Sequence, residues 1–335
     1  MNRQQYPPTF SDETLTNHAR NELLHARYLI SLGDYGSLIA AKAVLEKIVD
    51  RQPNFGLVYT DLVNLELKLL DTSKQSPVEM VPKFRTMLER QYELEGNSPE
   101  LLLALANLEF NLSWDIDLAQ KYHAEAVSLA PFNPQVHFQY AQFLMKTSRF
   151  NQALDHIYEY IKLDPTGYSR PNTVWIYTMM GELDLAEAEL KNLEDVDGES
   201  AQYNFAALTF YEANNDAQSA FKTLLKILRD NDYSEQEIHV LTQRFAQTGL
   251  QGVYHWLLDE KQEASNVGHG TPPLSYARYA INAGEKERAI KFMLQAIDQR
   301  QRNVVNFTVD PIYESIRSAP ELQPFYTQLR PNIDF

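Results

Sequence analysis

Pro131 and Pro165 stand 34 residues apart, and so do Ala119 and Ala153. A fixed period of that length marks a chain built from helical hairpins, each one supersecondary unit long. The stretch FNQALDHIYEYIKLDP at 150–165 reads as the second helix of such a unit. Phe150, Leu154, Ile157 and Ile161 recur at three- and four-residue spacing and form one apolar stripe. Ala153 is small where the paired helices approach closely, and Pro165 stops the helix because it cannot continue it. One hairpin cannot bury its apolar face alone, so the units must stack.

The template fits elsewhere. Ala41, Leu45, Ile48 and Pro53 match it, as do Ala119, Ala126 and Pro131, with His123 where a large apolar side chain is expected. Ala220, Leu224 and Ile227 match without the proline, and Ala277, Gly284, Ala289, Met293 and Ala296 match both helices and their turn. Residues 181–193 are one position out of step. Pairs are expected at about 13–51, 56–95, 99–131, 134–165, 168–195, 199–231, 234–261 and 272–300. The resulting fold class is all-α: a right-handed α-solenoid of about eight tetratricopeptide-like (TPR-like) hairpins with a C-terminal helical cap. An arm occupies 1–12, the repeats 13–301 and the cap 302–335, packed on the last repeat. Loops are expected at 71–78 and 261–273, where Gly, Ser, Asn and Pro gather.

The tail carries Val304, Val305, Phe307, Val309, Ile312, Ile316, Leu322, Phe325 and Leu329, more apolar surface than a disordered arm holds. Asp310–Pro311 has the N-cap and first-turn proline of a short helix, and Ala319–Pro320–Glu321 reads as the start of another. Ser98, Asp115 and Ser234 are further N-cap candidates. Arg317 is expected to donate to loop carbonyls and fix the cap rather than to meet a partner.

Net charge is −15, which repels a phosphate backbone and leaves a basic protein surface as the compatible partner. Cys is absent, which excludes thiol catalysis, thiolate zinc sites and disulfides. The most apolar run, 101–112, contains Asn107, Glu109 and Asn111 and cannot span a bilayer. No phosphate loop, nucleophile elbow or HExxH pattern occurs. The expectation is therefore no enzyme and no cofactor.

Three segments carry a more specific pattern than the generic repeat. They are HARYLISLGDYGSLIAAKAVLEKIVDRQPNFGLVYTDL (25–62), GLQGVYHWLLDE (249–260) and 277–329. The last is most specific in DPIYESIRSAPELQPF, with Asp310, Pro311, Ile316, Arg317, Ser318 and Pro320. Together they resemble the TPR domain that follows the winged helix in CadC/ToxR-type transcriptional activators and occurs in some adenylate cyclases. Gln52–Pro53 stands where that family has Asp-Pro, and no winged helix or membrane segment precedes the repeats. The resemblance implies a sensory or interaction module, with a small-molecule-sensing domain as the alternative. It implies a cytoplasmic protein if the chain is complete, and a periplasmic one if it is cut from a membrane-anchored regulator.

The groove-facing side of first helices is the expected site for a protein or peptide partner. It comprises Phe138, Gln142, Met145 and Lys146 in one unit and Leu274, Arg278, Ile281 and Asn282 in another. These residues do not supply the Lys/Asn carboxylate clamp of chaperone-binding repeats. Tyr122, Tyr158, Tyr160, Tyr203, Tyr211 and Tyr279 are expected as core knobs. His123, His137 and His156 are placed to approach one another, with ordinary packing as the bland reading and metal or pH sensing as the sharp one. Self-association is left open.

Overall fold

The computed structural model describes residues 10–70, 76–165, 170–198, 200–231, 233–264, 272–301 and 303–329. Most of the expected arm, and 71–75 and 265–271 of the two expected loops, lie outside the described residues. Among those described there are seventeen α-helices and no strand, an all-α helical-repeat fold. The chain divides into two compact units, 1–129 and 130–335.

The first unit holds α1 (Phe10–Leu32), α2 (Tyr35–Arg51), α3 (Leu57–Leu69), α4 (Pro77–Glu95), α5 (Pro99–Leu108) and α6 (Ile116–Leu129). They pack as successive pairs, α1 on α2, α3 on α4 and α5 on α6. Ala26 and Ala41 are fully buried where α1 and α2 approach, and Leu45 and Ile48 follow along the α2 stripe. Two carboxylates are sunk in this unit, each held by cations from other helices. Glu66 meets Lys83 at 3.0 Å and Lys42 at 3.5 Å, and Glu109 meets Arg85 at 2.7 Å.

The second unit holds α7 (Pro134–Lys146), α8 (Phe150–Leu163), α9 (Pro171–Met180), α10 (Leu183–Asp197), α11 (Ala201–Ala213), α12 (Ala217–Asp230), α13 (Glu235–Ala264), α14 (Pro273–Asn282) and α15 (Lys286–Asp298). In the founding stretch, Ala153 and Ile157 are fully buried. Tyr160 rather than Ile161 completes the stripe, its ring centroid 5.5 Å from that of Phe138. Helix α13 is itself a helical pair. Gly249 interrupts it at φ 67°, ψ −166°, a backbone region open essentially to glycine alone. The pair expected at 234–261 is thus found inside one long element.

The four predicted N-caps each accept a backbone N–H. Ser98 takes Leu101 N, Asp115 takes Leu118 N, Ser234 takes Glu237 N and Asp310 takes Ile312 N. Glu237 returns a carboxylate to Ser234 N at 2.8 Å, closing a capping box.

After α15 the tail makes two 3-10 turns, Val304–Thr308 and Pro311–Tyr313, then α16 (Glu314–Arg317) and α17 (Gln323–Leu329). The last helix begins three residues beyond the expected Pro320 start. Val304, Val305, Phe307, Tyr313, Ile316 and Leu322 are all at most 4% exposed. Arg317 donates from Nε to Phe307 O at 3.1 Å and from Nη2 to Asp310 O at 2.7 Å, so it ties the tail to itself.

Candidate functional site

The tail covers more than the end of the last pair. Residues 304–308 touch α7 as well as α15, and 311–313 touch both α11 and α14. Helices α7, α11 and α14 are first helices of three different pairs, so the tail lies on the face where a partner is expected. Polar contacts mark its path. Gln301 Oε1 accepts from Leu274 N at 2.9 Å, and Lys146 Nζ donates to Asn303 Oδ1 at 3.3 Å.

At the centre stands Glu212, at the end of α11, with 5% of its side chain exposed. Its carboxylate accepts from the Arg278 guanidinium, from Tyr254 Oη–H and, at 3.0 Å, from Asn282 Nδ2. The other arm of Arg278 reaches Asp310 Oδ2 at 3.4 Å. Two carboxylates thus share one guanidinium. Burial pushes the Glu212 carboxyl up, against the pull of Arg278 and the Tyr254 hydroxyl. Burial also works against the charged Arg278, but Glu212 and Asp310 outweigh it and hold its pKa above the ordinary value. Burial raises the Tyr279 hydroxyl to about 12. The Glu212 carboxylate is engaged by donors from α13 and α14, so the cluster clamps helices together.

The sequence-predicted partner residues divide accordingly. Arg278 and Asn282 converge on Glu212, and Lys146 meets the tail. Met145 is 3% exposed and belongs to the core. Phe138, Gln142, Leu274 and Ile281 are half-buried. Glu212 and Tyr254 are absent from the sequence expectations, and Asp310 figures there only as a cap. The available signal is the lone acid ending the apolar run AALTFYEA at 206–213. Phe205, on the same line of α11 as Thr209 and Glu212, is 45% exposed and also escapes the template. Among the tyrosines, Tyr160 and Tyr203 are buried, but Tyr158 is 47% exposed, its hydroxyl 2.8 Å from that of Tyr177.

His137 and His156 do meet, Nδ1 to Nδ1 at 2.9 Å, while His123 lies in the first unit. His137 Nε2 lies 2.9 Å from Pro131 O, so it donates there and its Nδ1 accepts from His156. The ring centroids are 5.1 Å apart, nearly as far as the nitrogen separation allows. The two nitrogens therefore point at each other rather than at a shared ion. Among the described residues, no group of three His, Cys, Asp or Glu is placed to hold a metal.

Burial, then the neighbouring His137, pulls the His156 pKa below its ordinary value, and Asp155 and Glu159 oppose this weakly. The folded chain therefore binds fewer protons here than the unfolded one. The contribution is complete above the ordinary histidine range, near pH 6.5, and is lost as the pH falls through the folded value. We expect the melting temperature to fall on acidification below that range, and His156→Gln to lessen the fall. Identical pH profiles for the two proteins would contradict this.

No protein-family model and no curated protein sequence matches the chain. Solved structures do. Yeast Tom70 aligns at 13% identity with a TM-score of 0.53, over 97% of this chain and 69% of that one. A tetratricopeptide repeat protein from Parabacteroides merdae aligns at 11% identity with a TM-score of 0.50, over 88% of this chain and 99% of that one. These likenesses establish the helical-repeat fold. Among the described residues no helix is long and apolar enough to cross a membrane.

Proposed function

We propose that the chain is a non-catalytic scaffold that binds a protein or peptide, as the sensory or interaction module of a bacterial signalling or transcription-regulation system. The observation that supports polypeptide binding is the tail, while the signalling context rests on the sequence resemblance alone. Helices α7, α11 and α14 already hold an irregular stretch of polypeptide through a guanidinium, side-chain amides and apolar packing. A surface that recognises one such stretch has the chemistry to recognise another beside it. The partner segment lies against Phe138, Gln142, Lys146, Leu274, Ile281 and Asn282, with Phe205 as an exposed aromatic anchor. Met145 and Arg278 support that surface from within. The net charge of −15 favours a basic partner.

The test is recovery of partners from a native extract, comparing the wild type with a Gln142→Arg, Phe205→Ala, Ile281→Arg variant whose far-UV circular dichroism is unchanged. At least one partner should be lost. Equal recovery of every partner by both proteins would contradict this surface assignment.

A further inference from the structure

Helices α1 and α2 carry a row of large apolar side chains that are exposed to solvent. Leu24, Tyr28 and Leu32 follow one another at four-residue spacing on α1 and are 62%, 59% and 50% exposed. Tyr35 and Ile39, on α2 after the Gly33–Asp34 turn, are 46% and 43% exposed. The buried face of α1, Ala19, Leu23 and Ala26, lies on the other side of that helix. A repeat face on which no neighbour stacks is normally polar.

We propose that this face is the contact between two copies of the chain, related by a two-fold axis. Three observations select that occupant. The first is charge. Residues 17–51 carry five Lys or Arg and four Asp or Glu, a net +1, in a chain of net −15. Arg27 and Lys42 are paired with Asp61 and Glu66 outside this stretch, so the local balance is near neutral and two strongly acidic copies can meet there with little like-charge repulsion. The second is self-complementarity, which an isologous interface requires. Leu24 and Leu32 lie equally far in sequence from Tyr28. An axis passing by Tyr28, with the two α1 helices antiparallel, sets Leu24 of one copy against Leu32 of the other. It also carries Arg20, one turn before Leu24, toward the Gly33–Asp34 turn that follows Leu32 in the other copy. The third is area. Half-exposed side chains of this size leave on the order of 100 Å² each. Two copies together would bury about 1,000 Å² from these five positions alone, the lower bound for a specific interface before any rim is added.

The experiment is sedimentation velocity on the full chain at micromolar concentration. The wild type is expected to be a dimer. Tyr28→Glu should raise the dimer Kd by about a hundred-fold or more, since it places two charges at the centre of the contact. Arg20→Asp and Asp34→Arg should each weaken the dimer, and the double swap should restore it. Restoration separates pairing across the axis from the loss of the α2 N-cap that Asp34→Arg also causes. A wild type that stays monomeric, or a dimer indifferent to Tyr28→Glu, overturns the proposal. A double swap no tighter than the single ones overturns the two-fold register. None of these positions lies on the surface varied in the partner-recovery experiment, so the two readings fail independently.

Discussion

A chain ending at Gln301 is expected to aggregate, or to lose most of its stability. Six large tail side chains, Val304, Val305, Phe307, Tyr313, Ile316 and Leu322, are almost fully buried. At about 1.5–3 kcal/mol each, their burial contributes about 9–18 kcal/mol as an upper estimate. That is comparable to the whole stability of an ordinary domain, about 5–15 kcal/mol. Removing them also uncovers the apolar sides of α7, α11, α14 and α15. The same magnitude argues against a tail that swings away to admit a partner, because a switch operates on differences of a few kcal/mol. Light scattering and a thermal melt of the shortened protein decide the matter. A monomer with an unchanged melting temperature would mean that the tail is not structural.

The second large effect is expected from Arg278→Ala, at about 3–5 kcal/mol. The loss comes less from the pair itself than from what remains. Glu212 would keep its buried carboxylate with only the Tyr254 hydroxyl and the Asn282 amide as partners, and Asp310 would lose its cation. Urea titration measures the change. The loss should shrink as the pH is lowered, because a protonated Glu212 needs no counter-charge. A loss independent of pH would point to packing rather than charge.

The repeat was legible because it is periodic. Alanines at close helix approaches, stripes at three- and four-residue spacing and prolines after helices are local signals that a 34-residue offset makes visible. The caps at Ser98, Asp115, Ser234 and Asp310, and the role of Arg317, were legible because each needs only neighbours a few residues away. The path of the tail was not. Its contacts with α7 join residues more than 150 positions apart, and its 3-10 turns carry no periodic pattern that names their partner. The spacing places Arg278 and Asn282 on the first-helix face, but it does not name their partners. What meets them is Glu212, 66 and 70 residues earlier, and for Arg278 also Asp310 from the tail. A template of paired helices says which face is open, but not that the chain returns to fill it. Tyr158 shows the converse limit, since helical periodicity placed it near the core while the helix leaves its ring half in water.

The occupation of the first-helix face by the tail is tested most directly by a double-mutant cycle between Arg278 and Asp310. Urea titrations of Arg278→Ala, Asp310→Ala and the double variant yield the coupling free energy. The cap that Asp310 provides to Ile312 cancels, because it is lost in both legs of the cycle. A coupling of about 1–3 kcal/mol is the expected result for two charged groups in contact. Strictly additive losses would place Asp310, and the tail with it, away from Arg278.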